Sequence, residues 1–220
     1  MPELAGKGGR SSEKAYKSIA GAADDITKMI LTLVGNDRYV IFGHSMGALL
    51  AYETYYRLLD CHCHSPEHLF FSGRRPPEME DKEKYTHLHD DLTFLKTVSF
   101  FGGIPEAMYE PEIMNIYLPI LKADFKILGE YIFRPKLKKI QCDVTVLYGD
   151  EDSSTPGHEM EGWRAHTRKR FQMHKFQGGH FFINQEVSAI VSLIVDAAKG
   201  NEDNGEIGCH RRGGHWEHLR

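Results

Sequence analysis

The sequence predicts an α/β fold in which a mostly parallel sheet carries helices on both faces and is interrupted by a helical insertion. Three observations predict it. Short unbroken apolar runs, rich in β-branched and aromatic residues, recur at 39–42, 68–73, 144–148 and 171–176. Segments with helical spacing of apolar residues separate them, which is the signature of βαβ units and a sheet buried on both sides. Between 81 and 135 the texture changes to mixed charged and aromatic residues punctuated by Gly102-Gly103 and Pro105.

The elements follow in order. Ile19, Ala22, Ala23, Ile26, Met29, Ile30 and Leu33 recur on one helical face, and Gly35 is placed to end that helix. The run Tyr39-Val40-Ile41-Phe42 fits a buried parallel strand, and a Gly-x-Ser-x-Gly turn follows it directly. Residues 47–59, free of proline, read as a second helix. The strand over 68–73 gives way to Arg74-Arg75-Pro76-Pro77, whose prolines cannot continue a ladder. In the insertion Ile113, Ile116, Tyr117, Ile120, Leu121 and Leu128 keep a helical period. Alternation resumes with a strand over 144–148, a helix over 159–170, a strand over 171–176 and a last helix. In that helix Val187, Ile190, Val191, Ile194 and Val195 form one apolar face, with Asn184 as N-cap. The division is therefore 1–80 and 136–199 as two parts of one core, 81–135 as the insertion, and 200–220 as a polar, disordered tail.

Composition excludes several classes of function. Lys+Arg total 27 against 31 Asp+Glu, a net charge of −4, so no positive field favours a nucleic acid backbone. The apolar run 190–198 is broken by Ser192 and Asp196 and is far shorter than the roughly 18 residues a membrane span needs. The first residues lack a basic segment followed by an apolar one, and four cysteines are too few for a disulfide framework. A reducing cytoplasm is the expected compartment, and a monomer the expected state.

Gly43-His44-Ser45-Met46-Gly47, between a strand and a helix, has the form of a nucleophile elbow. Such a turn is crowded, so small residues are expected two before and two after the serine, and both are glycine here. The same geometry turns the Met46 N–H toward a developing oxyanion. A serine hydroxyl needs a base and an orienting acid. Gly149-Asp150-Glu151-Asp152 follows a strand, where a carboxylate faces the active edge of the sheet; Asp152 is preferred as the orienter, with Asp150 the alternative or a loop brace. Gly178-Gly179-His180 follows the next strand and offers His180 as base. The chain order Ser45, Asp152, His180 is that of the α/β-hydrolases.

Other clusters receive structural readings. Cys61-His62-Cys63-His64 lacks the separation of paired zinc ligands and reads as a loop, so no metal site is expected. His210, His215 and His218 belong to the polar tail. His44 is read as packing or elbow support. Arg74, Arg75, Lys136, Lys138 and Lys139 are either a docking patch for an acidic partner or solvated faces.

Taken together, several segments resemble the type II thioesterases that accompany nonribosomal peptide and polyketide synthases, and the medium-chain acyl thioesterases of fatty acid synthesis. They are Glu3-Leu4-Ala5-Gly6-Lys7-Gly8-Gly9-Arg10, Phe42-Gly43-His44-Ser45-Met46-Gly47-Ala48, Ser72-Gly73-Arg74-Arg75-Pro76-Pro77, Leu118-Pro119-Ile120-Leu121-Lys122-Ala123-Asp124-Phe125, Gly149-Asp150-Glu151-Asp152 and Gly178-Gly179-His180-Phe181-Phe182. The resemblance implies an α/β-hydrolase fold and hydrolysis of acyl thioesters held on the phosphopantetheine arm of acyl or peptidyl carrier proteins, without metal or organic cofactor. It makes the insertion a lid whose Ile116, Ile120 and Phe125 line an acyl channel. Family members also carry an earlier strand ending in a His-Ala-Gly-Gly-like oxyanion loop. This sequence begins at Met1-Pro2-Glu3-Leu4, so an N-terminally truncated version of the fold is expected.

Overall fold

A computed structural model describes residues 3–35, 37–80, 86–100 and 110–199 of the chain. The tail 200–220, with its three histidines, and the Gly102-Gly103 and Pro105 punctuation lie outside the described residues.

Helix α1 (Ile19–Val34) starts where the Ser18 hydroxyl accepts the Gly21 N–H at 3.1 Å, and it stops at Gly35, whose φ is 56°. Strand β1 (Val40–His44) leads through Ser45 into α2 (Met46–Asp60), and β2 (His68–Ser72) follows. The insertion supplies α3 (Asp91–Phe100) and α4 (Pro111–Gly129) before β3 (Asp143–Gly149). A short helix α5 (Gly157–Met160), strand β4 (Phe171–Phe176) and α6 (Val187–Lys199) complete the order.

All pairings are parallel and the strands stand in the order β1-β2-β3-β4, so among the described residues β1 is an edge strand. Alternation along the strands builds two faces. Ile41, Leu69, Phe71, Val144 and Val146 pack under α2 and against Trp163, while Phe42, Leu147 and Phe176 pack with Phe182 and Ile190 of the α6 side. A third cluster joins α1 to α2 through Ile19, Ala22, Leu49 and Leu50, and Ile127 of α4 reaches into it. The insertion is also anchored by charge. Buried Glu53 of α2 accepts from Arg57 and Lys136 at 2.9 Å each and from the Tyr131 hydroxyl at 2.9 Å. Nearer the middle of α4, Asp124 pairs with Lys7 of the N-terminal loop.

Two expectations are corrected. The helix over 159–170 is instead α5 followed by a 3-10 turn over Glu161–His166. Packing overrides periodicity there: fully buried Trp163 stacks on Phe71 at 4.0 Å and donates its indole N–H to the Arg74 carbonyl at 2.7 Å. Asn184 is not the cap of α6 but the end of a separate 3-10 turn, Phe182–Asn184.

Candidate active site

The end of β1 is forced into an uncommon shape. Ser45 has φ 55° and ψ −119°, a conformation that costs an L-residue on the order of 1–3 kcal/mol. Its N–H donates to the Ser72 carbonyl at 2.8 Å and its own carbonyl accepts the Ala48 N–H at 3.0 Å, so the turn is tied to β2 and to α2 at once. Gly43 is dictated by this crowding, because a Cβ there would lie 2.1 Å from the Gly47 oxygen. Gly47 is not: a Cβ there meets nothing within 4 Å, which corrects the expectation that both glycines are required. Met46 opens α2, where an N–H has no helical carbonyl to bond and lies at the positive end of the helix dipole.

Beyond β3 the chain turns so that Asp152 is buried, with 6% of its surface exposed. One oxygen accepts from the Ser154 N–H at 2.9 Å and the Ser154 hydroxyl at 2.5 Å; the other accepts from the Thr155 hydroxyl and from His180 Nδ1, each at 2.7 Å. Burial alone would raise this carboxyl, but the bonds from His180, Ser154 and Thr155 hold it well below the usual carboxylate range. A carboxylate on Nδ1 fixes that nitrogen as the donor and leaves Nε2 with its lone pair, the tautomer of a general base. Asp150 does other work: it accepts the Gly178 N–H at 3.0 Å and braces the loop that carries His180.

The two halves meet at the carboxyl edge of the sheet. The His180 ring lies 5.0 Å, centroid to centroid, from the ring of His44, the residue before Ser45. His44 is more than elbow support. Its Nδ1 pairs with the Ser72 hydroxyl at 2.9 Å, and its Nε2 is buried without a hydrogen-bond partner among the described residues. Burial, with His180 beside it, pushes its pKa down to about 3, so the ring is neutral. Sequence alone missed this because the contact depends on register: His44 stands opposite Ser72 only once β1 and β2 are paired.

The remaining candidates are dispersed. Ile116 is 64% exposed on α4, Ile120 is half-buried, and Phe125 sets its ring edge-on to Phe94 at 5.3 Å. Arg75 pairs with Glu159 at 3.1 Å and Lys136 with Glu53, so both are committed within the fold, while Lys138 and Lys139 are exposed. Among the described residues no three His, Cys, Asp or Glu side chains are grouped to hold a metal ion. Among them, too, no helix is long and apolar enough to cross a membrane.

A parallel sheet whose first described strand ends in a serine elbow, with a carboxylate-bound histidine from later strands beside it, defines a protein of the α/β-hydrolase class. Comparison with known proteins narrows that class. The model of the thioesterase domain matches residues 2–197, and the chain belongs to that family. It is 33% identical over 196 residues to linear gramicidin dehydrogenase LgrE of Brevibacillus parabrevis, covering 87% of this chain and 74% of that one. It is equally 33% identical over 192 residues to thioesterase PikA5 of Streptomyces venezuelae, covering 87% and 68%. Among solved structures, ClbQ from the colibactin NRPS/PKS pathway matches with a TM-score of 0.87 and 28% identity over 92% of this chain and 86% of that one. The resemblance to type II thioesterases holds, and the reaction of the family is thioester hydrolysis.

Proposed function

We propose that this chain hydrolyses acyl thioesters presented on the phosphopantetheine arm of acyl or peptidyl carrier proteins, with Ser45 as nucleophile, His180 as base and acid, and Asp152 as the orienting carboxylate. One observation carries the proposal: a buried carboxylate holds the His180 ring by Nδ1 at 2.7 Å, and that ring lies 5.0 Å from the ring of His44, the residue before the strained serine. On this scheme Ser45 Oγ bonds to the thioester carbonyl carbon while His180 Nε2 takes its proton. The Met46 N–H stabilises the oxyanion. As the tetrahedral species collapses the C–S bond breaks, and His180 returns the proton to the departing thiolate. Water, deprotonated by His180, then attacks the acyl enzyme; the ester bond to Ser45 breaks and the serine recovers its proton. Ile116 and Ile120, about one turn apart on α4, offer the acyl chain an apolar surface, and Phe125 braces the lid against Phe94. The chemistry draws on no metal or organic cofactor beyond the pantetheine of the substrate, and the enzyme acts as a monomer in the cytoplasm beside the synthases whose carriers it clears.

A fluorophosphonate probe tests the assignment. It labels Ser45 in the folded chain and leaves Ser45→Ala unlabelled, and Ser45→Ala lowers thioester turnover by about 10⁴- to 10⁶-fold. A folded wild-type chain that takes no label sinks the nucleophile assignment. Faster turnover of free esters than of acyl-carrier thioesters assigns the site to free esters instead.

A further inference from the structure

The rim of the sheet holds a second imidazole that the scheme above does not use. His44 sits between three constraints. Its Nδ1 is tied at 2.9 Å to the hydroxyl of fully buried Ser72, whose carbonyl also holds the Ser45 N–H. Its ring lies against His180 at 5.0 Å and against Phe181 and Phe182 at 6.0 and 5.8 Å, so it faces the loop that carries the base. Beneath both rings lies Gly73, with φ +57°; a Cβ there would come within 2.5 Å of His44 Cε1 and 3.4 Å of His180 Cε1. Plain packing does not explain a histidine here. Its Nε2, buried and unpartnered among the described residues, costs about 1–3 kcal/mol that a phenylalanine of similar shape would not incur.

We propose that His44 is a positioning residue for His180: anchored to Ser72 and passing over Gly73, it forms the wall that stops the base from swinging away from Ser45 while Asp152 holds its other edge. This rests on the assignment of His180 as the base. Asp152 holds one edge of that ring, and the His44 ring, held from the neighbouring strand, packs against it. Because Ser72 holds both the elbow N–H and the His44 ring, nucleophile and base share one support.

Kinetics with an acyl thioester of N-acetylcysteamine test this on the full chain. His44→Ala is expected to lower kcat by about 30- to 100-fold with KM changed by less than about threefold, the signature of a misplaced reacting group rather than lost binding. His44→Phe, which restores the wall without the tether, is expected to recover at least about tenfold of that loss. Ser72→Ala, a small change that preserves the backbone, is expected to lower kcat by about three- to tenfold. A folded His44→Ala within twofold of wild-type kcat, a loss confined to KM, or a His44→Phe no better than the alanine variant overturns the proposal. Should His44→Ala fail to fold, Ser72→Ala decides: an unchanged kcat overturns it. Failure of the underlying assignment reads differently, as near-normal turnover by His180→Ala or an unlabelled wild-type Ser45, whatever the His44 variants do.

Discussion

The two ends of this sheet each hold a histidine against a neighbouring strand or loop, and they differ in what it is bonded to. At the amino end His68, the first residue of β2, places Nε2 2.8 Å from the Thr145 hydroxyl of β3. At the carboxyl end His180 places Nδ1 2.7 Å from the Asp152 carboxylate. A hydroxyl satisfies an imidazole; a carboxylate also stabilises the imidazolium that forms when the ring accepts a proton. The surroundings agree. The cavity beside His68 is about 150 Å³, lined by Asp143, Arg170, Gln172 and His174, below the roughly 300 Å³ at which sites for organic ligands begin. Burial of a titratable ring thus does not single out the proposed base; the charge of its partner does.

The sharpest way to break this contrast is to neutralise the carboxylate. Asp152→Asn is expected to lower kcat by about 10⁴-fold with the fold intact, whereas Asp150→Asn, which loses one loop hydrogen bond, should fall by less than about tenfold. Reversal of the two in steady-state kinetics would move the orienting role to Asp150. Next in size is crowding at the elbow. Gly43→Ala drives a methyl into the Gly47 carbonyl and is expected to destabilise by about 3 kcal/mol or more, while Gly47→Ala stays within about 1 kcal/mol. Urea unfolding of both variants measures the difference, and equal midpoints would refute it.

At the amino end the effects are on stability alone. His68→Leu strands the Thr145 hydroxyl and is expected to lower stability by about 1–3 kcal/mol while kcat stays within twofold; a larger kinetic loss would show that the two ends communicate. Acid should sharpen the distinction. Burial holds His68 down to about 4 against an ordinary 6.5, opposed by Asp143 and reinforced by Arg170. The unfolded chain then takes up a proton that the folded one refuses, so stability falls as pH drops from 6.5 toward 4. His44, at about 3, adds to the same slope. His68→Leu should flatten the fall in urea midpoint between pH 6.5 and 4.5, and parallel curves for the two proteins would remove His68 as its source.

Legibility followed locality. The strands were readable because unbroken apolar runs bounded by turn residues have few other uses, and β4 matches its predicted span of 171–176. The elbow turn was readable because its shape is set by five consecutive residues, and the pairing of Asp152 with His180 because each lies in the loop after a strand on the same edge. What depends on distant partners was not readable. Trp163 breaks a helical period by reaching Phe71 and the Arg74 carbonyl, and Ile116 keeps its period yet lies exposed, since periodicity names a face without naming what covers it. His44 needed strand register before its tether to Ser72 came into view.

The backbone at position 45 also restricts which nucleophile the turn can carry. At φ 55° a side chain forked at Cβ collides with its own main chain, so threonine is shut out of a place that tolerates a single γ-substituent. Of the hydroxyl and thiol side chains, serine and cysteine meet that condition. Exchange of oxygen for sulfur at this corner is therefore open to protein engineering, whereas a secondary alcohol would demand that the whole turn be rebuilt.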